Sequence, residues 1–157
     1  MPSILLLTND FGPRAGGIET FIIGLLERMP KGEVIVYTSR QSGSESFDKK
    51  WLDNFGVKVI RDASKILLPS PRVIRAVRKV IKQSKIEKVW FGAAAPLAIS
   101  ARFLRVGNVK KIVALSHGHE VWWSKVFPFN LAMKEIARSV DVLTFLGDYT
   151  GSVIKKN

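Results

Sequence analysis

Six short apolar runs, each separated from the next by a segment of a different periodicity, set the strongest limit on how this chain folds. The runs are Ile4-Leu5-Leu6-Leu7, Glu33 to Thr38, Val57 to Ile60, Lys88 to Phe91, Lys111 to Ser116 and Asp141 to Leu146. Each is too short for a buried helix and is apolar at nearly every position, the pattern of a parallel strand covered on both faces. Between them, apolar residues recur at spacings of three and four. Ile18, Phe21, Ile22, Leu25, Leu26 and Met29 form one helical face that ends before Pro30. Further helices are expected at Phe47 to Asn54, Arg72 to Lys85, Leu97 to Val106 and Phe129 to Ser139, with another beginning in the last residues. Strands alternating with helices imply an α/β, doubly wound, mostly parallel sheet of the Rossmann-like kind. No internal repeat or long linker divides the 157 residues, so 1–157 reads as a single domain.

In such a sheet, ligands sit beyond the carboxyl ends of the strands, near the point where the strand order reverses. Three unusual clusters fall at strand ends. The first is Thr8 to Thr20, which contains Gly16-Gly17 immediately before the first helix. Without side chains there, backbone N–H groups at a helix N-terminus can approach an anion closely, although a tight turn would need glycine as well. Neither G-x-G-x-x-G nor the phosphate-binding G-x-x-x-x-G-K-[ST] pattern is present. The second cluster is Gly92-Ala93-Ala94-Ala95-Pro96. The third is His117-Gly118-His119-Glu120, which holds both histidines of the chain. A metal site would use imidazoles and a carboxylate, but no third cluster of ligands accompanies them. A polar element that faces a ligand through His117, with Glu120 holding a hydroxyl or orienting a histidine, suits a strand end better. A loop histidine pair with ordinary hydrogen bonds is the plain alternative. Glu19 and Glu27 share the first helix and read as solvated residues.

Charge narrows the class of partner. The chain carries 25 Lys and Arg against 13 Asp and Glu, a formal net charge of +12, so it favours an anionic partner. The helix Arg72 to Lys85 concentrates this charge. Val73, Ile74, Ala76, Val77, Val80 and Ile81 occupy one side, and Arg72, Arg75, Arg78, Lys79, Lys82 and Lys85 the other. The apolar side requires only a core. Six cations without an interleaved carboxylate suit an anionic membrane surface, which attracts each nearby basic residue by about 1 kcal/mol. Ile66 to Pro69 and Trp122-Trp123 would add apolar contact with such an interface, or simply pack in the core. Nucleic acid is a weaker reading, because the basic residues do not alternate with stacking aromatics. The absence of cysteine excludes a disulfide scaffold, a zinc–thiolate site and a cysteine nucleophile. No apolar run reaches the roughly 20 residues of a membrane span, and no basic segment precedes Ile4 as in a signal peptide.

Taken together, Leu7 to Glu19, Val89 to Ala98, His117 to Val121 and Val140 to Thr144 resemble the N-terminal half of retaining glycosyltransferases of family four. Within that family they are most similar to the actinobacterial phosphatidylinositol mannosyltransferases. The resemblance implies the first half of a GT-B fold and mannose transfer from GDP-mannose to a phosphatidylinositol mannoside-type glycolipid, with retention and with no metal or other cofactor. It implies that Gly16 and Gly17 approach the donor diphosphate and that His117 is catalytic, beside the transferred sugar. It places Asn9, Asp10 and Glu120 near the acceptor. Arg72, Arg75, Arg78, Lys79 and Lys82 would touch the membrane, so the protein would be cytoplasmic and peripheral on the inner face of the cell membrane. The family's main nucleotide grip lies in a second, C-terminal domain, expected to be absent from this chain and supplied in cis or in trans. The isolated chain is therefore expected to be inactive. Two alternatives remain at this stage. One is a related transferase with another nucleotide sugar and acceptor; the other is a non-catalytic basic module that binds anionic lipid or a partner.

Overall fold

A computed structural model describes residues 2–117 and 125–145. Six strands form one sheet: β1 (Ile4–Thr8), β2 (Val34–Thr38), β3 (Lys58–Arg61), β4 (Lys88–Phe91), β5 (Lys111–Ser116) and β6 (Val142–Phe145). Every pairing is parallel, and the order across the sheet is β3-β2-β1-β4-β5-β6. The expected doubly wound sheet is therefore present, and its order reverses between β1 and β4.

Alternation along the strands builds two cores. Leu5 and Leu7 point to one face, where they join Val73, Val77 and Ile81 of α3 (Pro71–Gln83) and Met133 and Ile136 of α4 (Phe129–Ser139). Leu6 points to the other face, beside Ile22 and Leu26 of α1 (Gly17–Leu26) and Trp51 of α2 (Ser44–Phe55). α3 separates its residues as the sequence predicts. Ser70 caps it by accepting from the Val73 N–H at 3.3 Å, and Pro71 opens it where no donor is needed.

Two details differ from expectation. Leu97–Leu104 is a 3-10 helix rather than an α-helix. The Ser100 hydroxyl donates to the Leu97 carbonyl at 2.6 Å, and the Ile99 N–H bonds three residues back to Pro96, both local bonds that favour the tighter coil. Glu19 is 5% exposed rather than solvated. Its carboxylate folds back over Gly16 and pairs with Arg14 at 3.2 Å. A Cβ on Gly16 would displace that carboxylate, so glycine lets Glu19 pack against the backbone there.

A buried polar network ties β2, β3 and α3 together. Asp62 accepts from Tyr37 Oη at 2.5 Å, from Arg72 Nη2 at 2.7 Å and from the Ser64 N–H at 2.9 Å. Hydrogen bonds from Arg72 hold the Asp62 carboxyl well below the usual carboxylate range, against the opposing effect of burial, and those from Tyr37 and Ser64 add to this. Burial, followed by the bond to Asp62, raises the Tyr37 phenol. A carboxyl lowered on folding stabilises the fold above its unfolded pKa of about 4 and loses that contribution as pH falls towards the folded value. Asp62→Ala should therefore lower the unfolding free energy by about 2 kcal/mol at neutral pH. The gap from the parent chain should stay constant above about pH 4 and narrow below it, as measured by urea denaturation at a series of pH values.

Candidate functional site

The three clusters at the strand ends meet where the sheet order reverses. The Gly92 N–H bonds the Leu7 carbonyl at 3.1 Å, and the Ala94 N–H bonds the Leu115 carbonyl at 2.8 Å, so the loop after β4 is fastened to both neighbouring strands. His117, directly after β5, donates from Nε2 to the Gly92 carbonyl at 2.5 Å. Phe21 of α1 packs edge-on against the His117 ring, with centroids 5.6 Å apart. The imidazole is thus oriented by two elements and stays partly accessible at the mouth of the crevice. Gly92 itself is closely enclosed. A Cβ there would lie 2.7 Å from both Thr8 Oγ1 and Ile22 Cδ1.

Gly16 and Gly17 lie at the start of α1, the helix whose Phe21 touches His117. Gly16 is the N-cap residue, and no side chain caps this end. Open space surrounds the position of a Cβ on Gly17, so its backbone is the approachable one. A ligand oxygen at this place would meet the positive end of the α1 dipole.

The remaining predicted residues are dispersed. Asn9 has a structural assignment: its amide donates to the Leu67 carbonyl at 3.0 Å and accepts from the Leu67 N–H at 2.7 Å. It clamps the loop after β3 to the loop after β1. The Asp10 backbone N–H bonds Thr8 Oγ1 at 2.9 Å, which turns the chain sharply after β1. Glu120, together with His119, Trp122 and Trp123, lies outside the described residues. On α3, Arg75, Arg78, Lys79 and Lys82 border a shallow groove of about 450 Å³ on the solvent side. Arg72 does not join them, because its guanidinium is bound to the buried Asp62. Lys85 lies beyond the last turn, with φ of +52°. Among the described residues no group of His, Asp and Glu is placed to hold a metal ion, and no helix is long and apolar enough to cross a membrane.

Sequence periodicity assigns Phe21 to the helix core, yet it is 37% exposed and touches His117. Gly92 contributes through its carbonyl, which no residue pattern reveals. A second concavity, about 1,160 Å³, opens beside the crevice among the loops after β1, β2 and β3. Its signal in the sequence was only a polar, Ser-rich stretch at residues 40–46.

No protein-family model matches the chain. Curated relatives do. A GDP-mannose-dependent alpha-(1-6)-phosphatidylinositol monomannoside mannosyltransferase of Mycolicibacterium smegmatis is 39% identical over 150 residues, which cover 95% of this chain and 39% of the relative. The protein of the same description from Mycobacterium tuberculosis is 38% identical over 155 residues, 97% of this chain and 40% of the relative. A GDP-mannose-dependent monoacylated alpha-(1-6)-phosphatidylinositol monomannoside mannosyltransferase of Corynebacterium glutamicum is 36% identical over 148 residues, 93% and 38% respectively. Over nearly its whole length the chain resembles these actinobacterial mannosyltransferases. It spans about 40% of their length. These are the relatives to which the Gly16-Gly17, Gly92 to Pro96 and His117 clusters pointed.

Close packing at Gly92 gives a direct check on the site. Gly92→Ala should push the loop after β4 away from Thr8 and Ile22 and destabilise the fold by about 1–3 kcal/mol. The loss would appear as a lower midpoint in thermal unfolding, accompanied by altered His117 ring signals in NMR.

Proposed function

We propose that this chain is the acceptor- and membrane-facing half of a retaining mannosyltransferase with a GT-B fold. It would transfer mannose from GDP-mannose to a phosphatidylinositol mannoside-type glycolipid. The observation that carries this reading is the convergence on His117, held by Gly92 and Phe21 at the switch point of the sheet. The printed activities of the relatives supply the donor and the acceptor class. A crevice at that point suits a nucleotide sugar, because α1 presents its uncapped N-terminus at Gly17 and the imidazole stands at the carboxyl end of β5 on the same side of the sheet.

In this mechanism the backbone N–H groups at Gly16 and Gly17 favour the diphosphate, whose negative charge grows as the glycosidic bond breaks. His117 faces the mannosyl group. Its Nε2–H is engaged by the Gly92 carbonyl, so the ring keeps one orientation throughout the transfer. Asp10, at the turn after β1, borders the acceptor, as does Glu120. Asn9 would act by holding the loop after β3 in place rather than through a free amide. A C-terminal domain, in the same polypeptide or a separate one, would supply the main grip on the nucleotide. His117→Ala in the complete enzyme should lower kcat by roughly 100-fold or more with little change in thermal stability. Unchanged turnover would remove His117 from the mechanism.

The α3 face supports a peripheral location on the inner face of the cell membrane. Arg75, Arg78, Lys79 and Lys82 make no ion pair among the described residues, and Ile66 and Leu68 are exposed on the loop that leads into the helix. Free cations beside exposed apolar side chains are the combination that an anionic bilayer attracts. Replacing Arg75, Arg78, Lys79 and Lys82 with Gln should abolish sedimentation with phosphatidylinositol vesicles. Binding by the parent chain should itself weaken as salt rises. Retention of the variant would reduce α3 to a solvated face.

A further inference from the structure

The two helical layers of the fold differ in charge. On one face of the sheet, α1 carries Glu19 as its only charged residue, and α2 sets Glu45, Asp48 and Asp53 against Lys49 and Lys50. On the other face, α3 carries five Lys and Arg residues and no carboxylate, and the 3-10 helix adds Arg102. Glu135 of α4 is the one carboxylate on these three helices, and Arg102 binds it at 3.4 Å. Lys134 and Arg138 of α4 are exposed and make no ion pair among the described residues. The 3-10 helix packs against both α3 and α4, so the three form one continuous basic surface.

Exposed apolar side chains flank this surface at one end. Helices that follow parallel strands begin at the carboxyl ends of those strands, the end that holds His117. There Ile66 and Leu68 stand 65% and 55% exposed just before α3, on either side of the buried Leu67, whose backbone Asn9 clamps. Phe127, 75% exposed, and Leu131, 52% exposed, occupy the corresponding place at the start of α4. The Asn130 N–H bonds the Val126 carbonyl at 2.8 Å, which fastens the turn carrying Phe127 to the helix. Leu131, Lys134 and Arg138 follow at spacings of three and four and share one side of α4. Two helices thus repeat one arrangement: an exposed apolar pair at the crevice end, with unpaired cations along the helix behind it.

We infer that this layer docks on an anionic bilayer through two anchors, with the crevice end of the sheet dipped into the headgroups. The inference deepens the membrane reading of α3, on which its orientation rests, and adds Phe127, Leu131, Lys134 and Arg138 as contacts. Phe127 and Leu131 enter the boundary between headgroups and acyl chains, as do Ile66 and Leu68, while the cations of α3 and α4 lie over lipid phosphates. A single amphipathic helix on a bilayer leaves the domain free to roll about the helix axis. A second anchor on α4, with the 3-10 helix between the two, removes that freedom and holds the mouth at His117 against the membrane. Leu52 of α2 is equally exposed, at 53%, but it lies among balanced charges on the other layer and has no part in docking.

The chain has no cysteine, so Leu131→Cys and Leu52→Cys each accept a single environment-sensitive fluorophore. With vesicles of phosphatidylglycerol and phosphatidylcholine, the label at position 131 should shift to the blue and the label at position 52 should not. In sedimentation with the same vesicles, Phe127→Ser/Leu131→Ser should weaken binding about tenfold, as the loss of two inserted apolar side chains implies, and Leu52→Ser should leave it unchanged. The substituted side chains are exposed, so the thermal midpoints should match that of the parent chain. An unshifted label at position 131, or undiminished binding in Phe127→Ser/Leu131→Ser, would overturn the inference. So would self-association without vesicles that this variant abolishes, which would assign the face to a second copy of the chain. The α3 substitutions separate the two readings. If replacing Arg75, Arg78, Lys79 and Lys82 with Gln abolishes binding while Phe127→Ser/Leu131→Ser does not weaken it, only the second anchor fails. If the α3 variant binds like the parent while Phe127→Ser/Leu131→Ser does not, only the α3 reading fails. A parent chain that binds no vesicles removes both.

Discussion

The close approach of the loop after β4 to β1 is the constraint on which the rest of the site depends. Gly92 sits where a single added carbon would strike Thr8 and Ile22, so β1, α1 and the end of β4 can meet there only through backbone. That contact sets the position of the Gly92 carbonyl, and the carbonyl in turn sets His117. A histidine after a parallel strand would otherwise have its ring free to turn. Here it is aligned by a backbone group that no substitution can remove without moving the loop. The same contact brings α1 against the sheet, so that Phe21 reaches the imidazole.

The N-terminus of α1 carries an anion of its own. Glu19 folds over Gly16 and is itself held by Arg14, so one carboxylate partly complements the helix dipole without covering Gly17. This explains why two consecutive glycines stand here for different reasons. The Glu19 carboxylate packs against Gly16, whereas Gly17 leaves its backbone open. A reading from residue type alone treats the pair as one phosphate-binding feature, whereas the packing divides its work.

What could be read in the sequence follows from which forces act locally. The strands and the parallel, doubly wound sheet were legible because burial on both faces writes a continuous apolar run. α3 was legible because its apolar and basic sides differ at every turn. The 3-10 helix at Leu97–Leu104 was not, because its choice of coil rests on the Ser100 and Ile99 bonds rather than on hydrophobic spacing. Glu19 was misread as solvated for a similar reason. A carboxylate near a helix start is usually exposed, and only the folded path of the β1–α1 loop brings Arg14 over it. At the site, His117 and the glycines were visible as residue types. Phe21 and the Gly92 carbonyl were invisible, since each acts through a contact that exists only once three strand ends are together.

The basic residues that make up the excess charge do two different kinds of work. Arg14, Arg61 and Arg72 are spent internally, each on a carboxylate that fixes a loop at the strand ends. Arg72 in particular anchors the start of α3 to Asp62, so the helix leaves the sheet at a fixed place. Its remaining cations then face outward from a rigid base. Arg40 and Lys65 lie on the loops that this internal pairing holds still. The outward cations of α3 thereby stand near the exposed Ile66 and Leu68 on the loop that leads into the helix. The paired arginines make that arrangement possible. Without them the loops after β1 and β3 would carry the same charges with no common geometry in which to use them.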